Sequence, residues 1–301
     1  MAGDRRPRST LALVCVLVSI LVAACGSTTH VPGAHAQSLG AGTSHFTVTT
    51  ADGRVREYIV YAPSGATTRR PLVLVYHGAE AIAEGTAQET DFIQAANQLG
   101  FVVAFLQGYE NTWNEGAGGP PARVAHVNDV EFTSLALSQI EHSYSIDPTR
   151  IAASGFSNGA LLAELLGCQL ANRITLVAPV AGPLPVSVSP NCRPARPISV
   201  LAMHGTADQS IPYSGGHFEG IGGGTTVLSA PASAARWAAL DGCKRKAQST
   251  DSAQATLLST YSACRKQVVV QLRSLQGAGH GWPANVGVLV GEFLHQHPRA
   301  G

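Results

Sequence analysis

Short apolar runs alternate with longer amphipathic stretches along most of this 301-residue chain. Residues 45–50 and 54–61 alternate polar and apolar positions around Asp52-Gly53, which predicts a hairpin. Residues 71–76, 101–106, 150–154, 174–180, 198–203 and 268–272 are short and mostly apolar, which predicts strands buried on both faces. Helical patterns separate most of them, over 89–99, 127–142, 158–170, 230–240 and 287–295. Such alternation predicts an α/β fold: a mostly parallel sheet with helices on both faces. No internal repeat is visible. No long insertion separates the strands at 174–180 and 198–203, so no large lid and an open site are expected.

The first 44 residues read differently. Arg5, Arg6 and Arg8 precede a short apolar run over 11–21, and Val22-Ala23-Ala24-Cys25 closes it. The run is too short for a comfortable membrane span. Small residues before a cysteine resemble a bacterial lipobox. The expectation is a lipoprotein signal peptide over 1–24, with Cys25 lipidated as the mature N-terminus and a location on the outer face of the cell membrane. A plain secretory signal cleaved near Ala36 is the alternative. Residues 25–44 are rich in Gly, Ser, Thr, Ala and His without apolar periodicity, which predicts a flexible tether. Residues 45–301 then suffice for one α/β domain.

A formal net charge of +1 implies no nucleic-acid partner, and Lys244-Arg245-Lys246 reads as a solvated face. Beyond Cys15 and Cys25, four cysteines remain, Cys168, Cys192, Cys243 and Cys264, an even number suited to disulfides in an oxidising compartment. No spacing suggests a zinc site, and neither metal nor organic cofactor is expected.

The most informative motif is Gly155-Phe156-Ser157-Asn158-Gly159, a G-x-S-x-G pentapeptide. A predicted strand precedes it and a predicted helix follows. In that context the glycines permit a strained turn that lifts the Ser157 hydroxyl off the sheet. A serine needs a base to take its proton, and the base needs an orienting acid. Strand 198–203 runs into His204-Gly205-Thr206-Ala207-Asp208, and strand 268–272 runs towards Gly279-His280-Gly281-Trp282. Asp208 and His280 therefore stand just past strands, in the order Ser, acid, base. Asp241 and Asp251 are rival acids that follow no apolar strand. His204 reads as packing under the Asp208 loop.

His77-Gly78, Trp113-Asn114, Asn128-Asp129-Val130, the pentapeptide, His204-Gly205-Thr206-x-Asp208 with Pro212-Tyr213, and Gly279-His280-x-Trp282-Pro283 together resemble the secreted polyhydroxybutyrate depolymerase and feruloyl esterase group. The resemblance extends to its actinobacterial lipoprotein esterases and covers nearly all of the chain after the leader. It implies an α/β-hydrolase fold and a serine esterase that hydrolyses carboxylic esters, small or polymeric, with Ser157, Asp208 and His280 as the triad. A peptidase or thioesterase on the same fold, or a non-catalytic cell-surface binding lipoprotein, are the alternatives. The resemblance and the sequence order favour disulfides Cys168–Cys192 and Cys243–Cys264, the second closing the region between the Asp208 and His280 loops.

One departure concerns the loop after strand 71–76, which usually reads His-Gly followed by more glycines and here reads His77-Gly78-Ala79-Glu80. An oxyanion hole takes one N–H from this loop and one from the residue after the nucleophile. Asn158 and Ala79 are the expected donors, with Gly78 as the alternative for the second. Glu80 is expected to point to solvent. Trp113 and Trp282 are the expected aromatic contacts of the substrate pocket, and Asp129 is expected to start a helix.

Overall fold

The computed structural model describes residues 42–65 and 68–300. The predicted signal peptide, Cys25 and most of the tether lie outside them. Strand β1 (Thr43–Thr49) begins inside the expected tether, because Thr43 and Ser44 pair with Tyr61 and Val60 of β2 (Val55–Tyr61). The Asp52-Gly53 hairpin is as expected, with the Gly53 N–H donating to Thr50 C=O across the turn.

In chain order there follow β3 (Arg70–Tyr76), α1 (Ala83–Glu89), α2 (Phe92–Leu99), β4 (Val102–Leu106), α3 (Pro121–Val124), α4 (Asp129–Ser143), β5 (Ile146–Phe156), α5 (Asn158–Gln169) and β6 (Leu176–Val180). The second half holds β7 (Ser199–Gly205), β8 (Gly216–Phe218), β9 (Thr225–Val227), α6 (Ala230–Leu240), β10 (Arg245–Asp251), β11 (Thr256–Ser262), β12 (Val270–Leu275) and α7 (Val286–Gln296). The main sheet has the order β1-β2-β4-β3-β5-β6-β7-β12-β11-β10. Strands β4, β3, β5, β6, β7 and β12 are parallel, and antiparallel hairpins flank them at both ends.

Alternation along β3 explains the two layers. Leu72, Leu74 and Tyr76 face Phe132 and Leu137 of α4, Leu162 and Leu166 of α5, and Trp237 of α6. Val73 and Val75 face Phe92 of α2 and Val290 and Phe293 of α7. A strand buried on both sides has no polar face, which is why these runs read as continuously apolar.

The pattern expected over 89–99 corresponds to α2, and α1, which precedes it, was not expected. The α1 cap Thr90 is extended, and the Asp91 carboxylate instead accepts the Gly287 and Val288 N–H groups at the start of α7. The basic run at 244–246 is exposed, as expected, and leads into β10, the sheet's last strand. Six of that strand's seven residues are exposed, and its lysine and arginine protect an edge that would otherwise template strand pairing.

Cys168–Cys192 joins the end of α5 to the segment before β7, and Cys243–Cys264 joins the α6–β10 turn to the β11–β12 turn. Both pairs agree with expectation. The second sits elsewhere than expected: Cys264 precedes β12, so this bridge lies at the N-terminal edge of the parallel strands and not between the Asp208 and His280 loops. Loops of 24 and 21 residues are closed, each worth roughly 3 kcal/mol. Reduction should therefore lower the melting temperature, while native protein assayed immediately after reduction keeps the His280–Asp208 geometry described below. Calorimetry with and without reductant, alongside the NMR signal of the His280 ring, checks this.

Candidate active site

The C-terminal ends of β3, β5, β7 and β12 lie at one sheet edge, and each leads into one piece of the site. Ala79 follows β3, Ser157 follows β5, Asp208 follows β7 and His280 follows β12. Loops at this edge of an open α/β sheet converge on a crevice.

Ser157 has φ +54° and ψ −120°, a conformation that a non-glycine residue holds only under constraint. The constraint is backbone packing. A Cβ on Gly155 would meet the Gly159 carbonyl oxygen at 2.2 Å, and a Cβ on Gly159 would meet Tyr76 O at 2.4 Å and His77 O at 2.5 Å. Only glycines let α5 start this close to the end of β3. The Ser157 N–H is tied to Val180 O at 3.0 Å.

Two N–H groups near Ser157 are oriented by the carbonyls on their own peptide units. The Ser157 carbonyl accepts from the Ala160 and Leu161 N–H groups, so the trans peptide turns the Asn158 N–H the other way. The Gly78 carbonyl accepts from the Ala81 N–H and lies 2.7 Å from His77 Nδ1, which turns the Ala79 N–H away from both. His77 Nε2 accepts the Gly108 N–H, so its proton sits on Nδ1 and is donated to Gly78 O. Burial holds the His77 pKa down at about 4, which keeps that tautomer neutral. Neither the Asn158 nor the Ala79 N–H donates to an acceptor among the described residues. Glu80 is exposed, as expected.

Asp208 and His280 are brought together. His280 Nδ1 lies 2.8 Å from Asp208 Oδ2, while Asp208 Oδ1 accepts the Ser210 and Ile211 N–H groups at 2.9 Å each. The carboxylate fixes the imidazole proton on Nδ1 and leaves Nε2 as the free base. The ring of Phe156, the residue before Ser157, packs 4.6 Å from that of His280. His204 is buried under this loop, donating from Nε2 to Ile211 O at 2.9 Å with Asp208 Oδ2 at 3.2 Å. The rival Asp241 ends α6 and accepts the Ile198 N–H before β7, at the opposite edge.

A cavity of about 180 Å³ opens beside Ser157, Asn158 and Ala79. Its walls include Leu161, Ile211 and Phe218, and Ile221 and Thr225 belong to the Gly-rich segment after Asp208. That segment leads into the small hairpin β8–β9, and residues from both form one wall.

Neither tryptophan lines this cavity. Trp113 is fully buried, its Nε1 donating to His77 O and its N–H to Asn158 Oδ1. It supports the floor of the site and offers no surface to a substrate, which corrects the expectation. Trp282 is half-buried, with its ring against Phe92 and Phe156. Asp129 is in the first turn of α4, paired with buried Arg56 at 2.8 Å and accepting the Asn114 N–H. Glu115, which the sequence reading passed over, is buried and lines the cavity. The one available signal was its place directly after Trp113-Asn114.

The sheet, the elbow after β5 and the paired Asp208 and His280 after β7 and β12 define an α/β-hydrolase fold. No protein-family model matches the chain. Feruloyl esterase B of Piromyces equi is 32% identical over 234 residues, covering 75% of this chain and 42% of that protein. The bifunctional acetylxylan esterase/xylanase XynS20E of Neocallimastix patriciarum is 29% identical over 229 residues, covering 76% of this chain and 31% of that protein. The chain thus spans less than half the length of these relatives. Among solved structures, the acetyl xylan esterase from Aspergillus awamori superposes with a TM-score of 0.64 at 13% identity, covering 84% of this chain and 99% of that one. At that identity the likeness is one of fold. This chain is a homologue of feruloyl and acetylxylan esterases.

The Asp208 and His280 loops are knitted at Gly205. A Cβ there would meet Ala278 O at 2.3 Å and Gly279 O at 2.4 Å, and the Ala207 N–H donates to Ala278 O at 2.9 Å. Gly205→Ala should cost about 1–3 kcal/mol of stability by overpacking. It should also lengthen the His280–Asp208 bond. Thermal melting reads the first effect, and an upfield move of the His280 Nδ1 proton resonance reads the second.

Proposed function

We propose that the chain is a serine carboxylic-ester hydrolase, acting on feruloyl, acetyl or other short-chain acyl esters or on polyhydroxyalkanoate-type polymers. The observation that carries this reading is the 2.8 Å Asp208–His280 bond beside the strained Ser157 elbow. The homologous feruloyl and acetylxylan esterases support it.

In this mechanism the Ser157 hydroxyl attacks the ester carbonyl and His280 Nε2 takes its proton. Asp208 accepts from Nδ1 and stabilises the imidazolium. The Asn158 and Ala79 N–H groups, already turned away from their own carbonyls, receive the oxyanion without reorganisation. The imidazolium protonates the leaving alcohol, giving an acyl-enzyme on Ser157. Water, deprotonated by His280, then frees the acid. No step draws on a metal or organic cofactor.

Ser157→Ala should abolish ester hydrolysis with an unchanged melting temperature, and turnover by a folded, contaminant-free mutant would sink the assignment. Asp208→Asn should lower kcat on the order of 10³–10⁴-fold with little change in substrate binding. A larger loss from Asp241→Asn would identify a different acid.

The protein is also proposed to be exported and held to the outer face of the cell membrane through a lipid on Cys25, with residues 1–24 removed. Two disulfides support an oxidising compartment. Cys25→Ala should move the protein from the membrane fraction to the medium with specific activity retained. An unmodified N-terminus beyond Cys25 in wild-type protein, read by mass spectrometry, would remove this part.

A further inference from the structure

Resting on the esterase reading of the cavity beside Ser157, we infer that Glu115 is a specificity-determining residue that receives a hydroxyl group of an uncharged substrate. Glu115 is 3% exposed, lines the cavity, and its Oε2 has no hydrogen-bond partner. A buried carboxyl oxygen left unpaired is costly, and Glu115 lines a cavity from which a partner could come.

The surroundings define the chemistry of that partner. Pro120, Leu161, Ile211, Phe218 and Ile221 make the cavity largely apolar. Among the described residues, the ionisable carboxyls on its lining are Glu115 and Glu219, and no lysine, arginine or histidine lines it. Glu219 is exposed and paired with His217, so Glu115 is the buried one. Burial pushes the Glu115 pKa up to about 8, against the opposing pull of its own N–H, the Asn158 side chain and the Arg123 charge, with the Asp129 charge adding to the rise. The group is therefore a neutral acid at neutral pH. A neutral carboxyl offers one O–H donor and acceptor lone pairs. A hydroxyl, itself donor and acceptor, complements it. An anionic substrate would meet two carboxyl groups and no cation in this cavity.

The hydroxyl belongs either to the acyl part or to the alcohol part of the ester, and paired substrates distinguish the two. Methyl hydroxyphenylacetate against methyl phenylacetate tests the acyl side, and hydroxyethyl against ethyl phenylacetate tests the alcohol side. In the wild type, the hydroxyl-bearing member of one pair should have the higher kcat/KM by about tenfold. Glu115→Leu should bring that ratio near one while the hydroxyl-free ester is still hydrolysed. Glu115→Gln, a neutral isostere with donor and acceptor, should retain most of the ratio. If Glu115→Leu does not fold, Glu115→Asp, which withdraws the carboxyl by one methylene, carries the same readout. A carboxyl that only supported the fold would alter stability and leave the ratio alone.

The inference is overturned if neither pair shows a preference in the wild type, if Glu115→Leu leaves the ratio unchanged, or if Glu115→Gln loses it as fully as Glu115→Leu. Labelling of Ser157 by a fluorophosphonate separates these failures from failure of the esterase reading. A labelled enzyme with an unmoved ratio sinks the role of Glu115 alone. An unlabelled protein that hydrolyses none of the four esters sinks both.

Discussion

Everything at this site depends on how closely the start of α5 approaches the end of β3. That approach exists because Gly155 and Gly159 carry no Cβ: either methyl group would overlap a carbonyl oxygen at 2.2–2.5 Å. The contact holds Ser157 at φ +54°, points its carbonyl into the first turn of α5 and turns the next N–H outward. Strain of this kind persists only where the surroundings over-determine it. Here the Ser157 N–H to β6 and the buried helix behind it supply that over-determination. Eleven of the twelve residues of α5 are buried, so the helix has little freedom to relax.

Beneath the elbow lies a polar layer unusual for a sheet interior. His77, Trp113, Asn158, Asp129 and Arg56 are all buried, and each has at least one hydrogen-bond partner among the others or nearby backbone. Apolar residues of the same volume would pack at lower desolvation cost. What they could not do is fix directions. His77 orients the Gly78–Ala79 peptide, Trp113 fixes the Asn158 side chain, and Asp129 anchors Asn114 in the loop that carries Glu115. The layer converts buried polarity into orientation of the groups above it.

The parallel strands were legible because both faces are buried, so runs such as Leu72–Tyr76 carry no polar interruption. The elbow, Asp208 and His280 were legible because each lies in a loop that an apolar run leads into. The hairpin β10–β11 was not, since an edge strand exposed at six of seven positions has a polar pattern that reads as loop. Trp113 misled for a different reason. Its neighbourhood is catalytic in the resemblance, but whether an indole faces a cavity or supports its floor depends on which way the chain turns after β4, and one-dimensional pattern holds no such sign. Glu115 was missed because a glutamate in a Gly-rich loop reads as solvated. The fold buries it and sets it beside α5 and the β8–β9 hairpin on one cavity wall, elements distant in sequence.

The two sheet edges are held by different means. At the N-terminal edge of the parallel strands sit both disulfides, the Asp241 cap before β7 and Arg299, whose guanidinium donates to Ala171 O, Asn172 O and Ile174 O. At the C-terminal edge no described covalent bridge crosses between loops. Hydrogen bonds and glycine contacts hold them, as where Gly205 lies against Ala278 and Gly279. Cross-links act chiefly on the unfolded chain, whereas close contacts fix native geometry to fractions of an ångström. Placing the covalent bonds away from Ser157, Asp208 and His280 leaves positioning to contacts that define direction as well as distance. The Asp208–His280 pair is therefore only as well aimed as the roots of β7 and β12, which makes the buried face shared by Val200, Val270 and Leu272 part of what positions that pair.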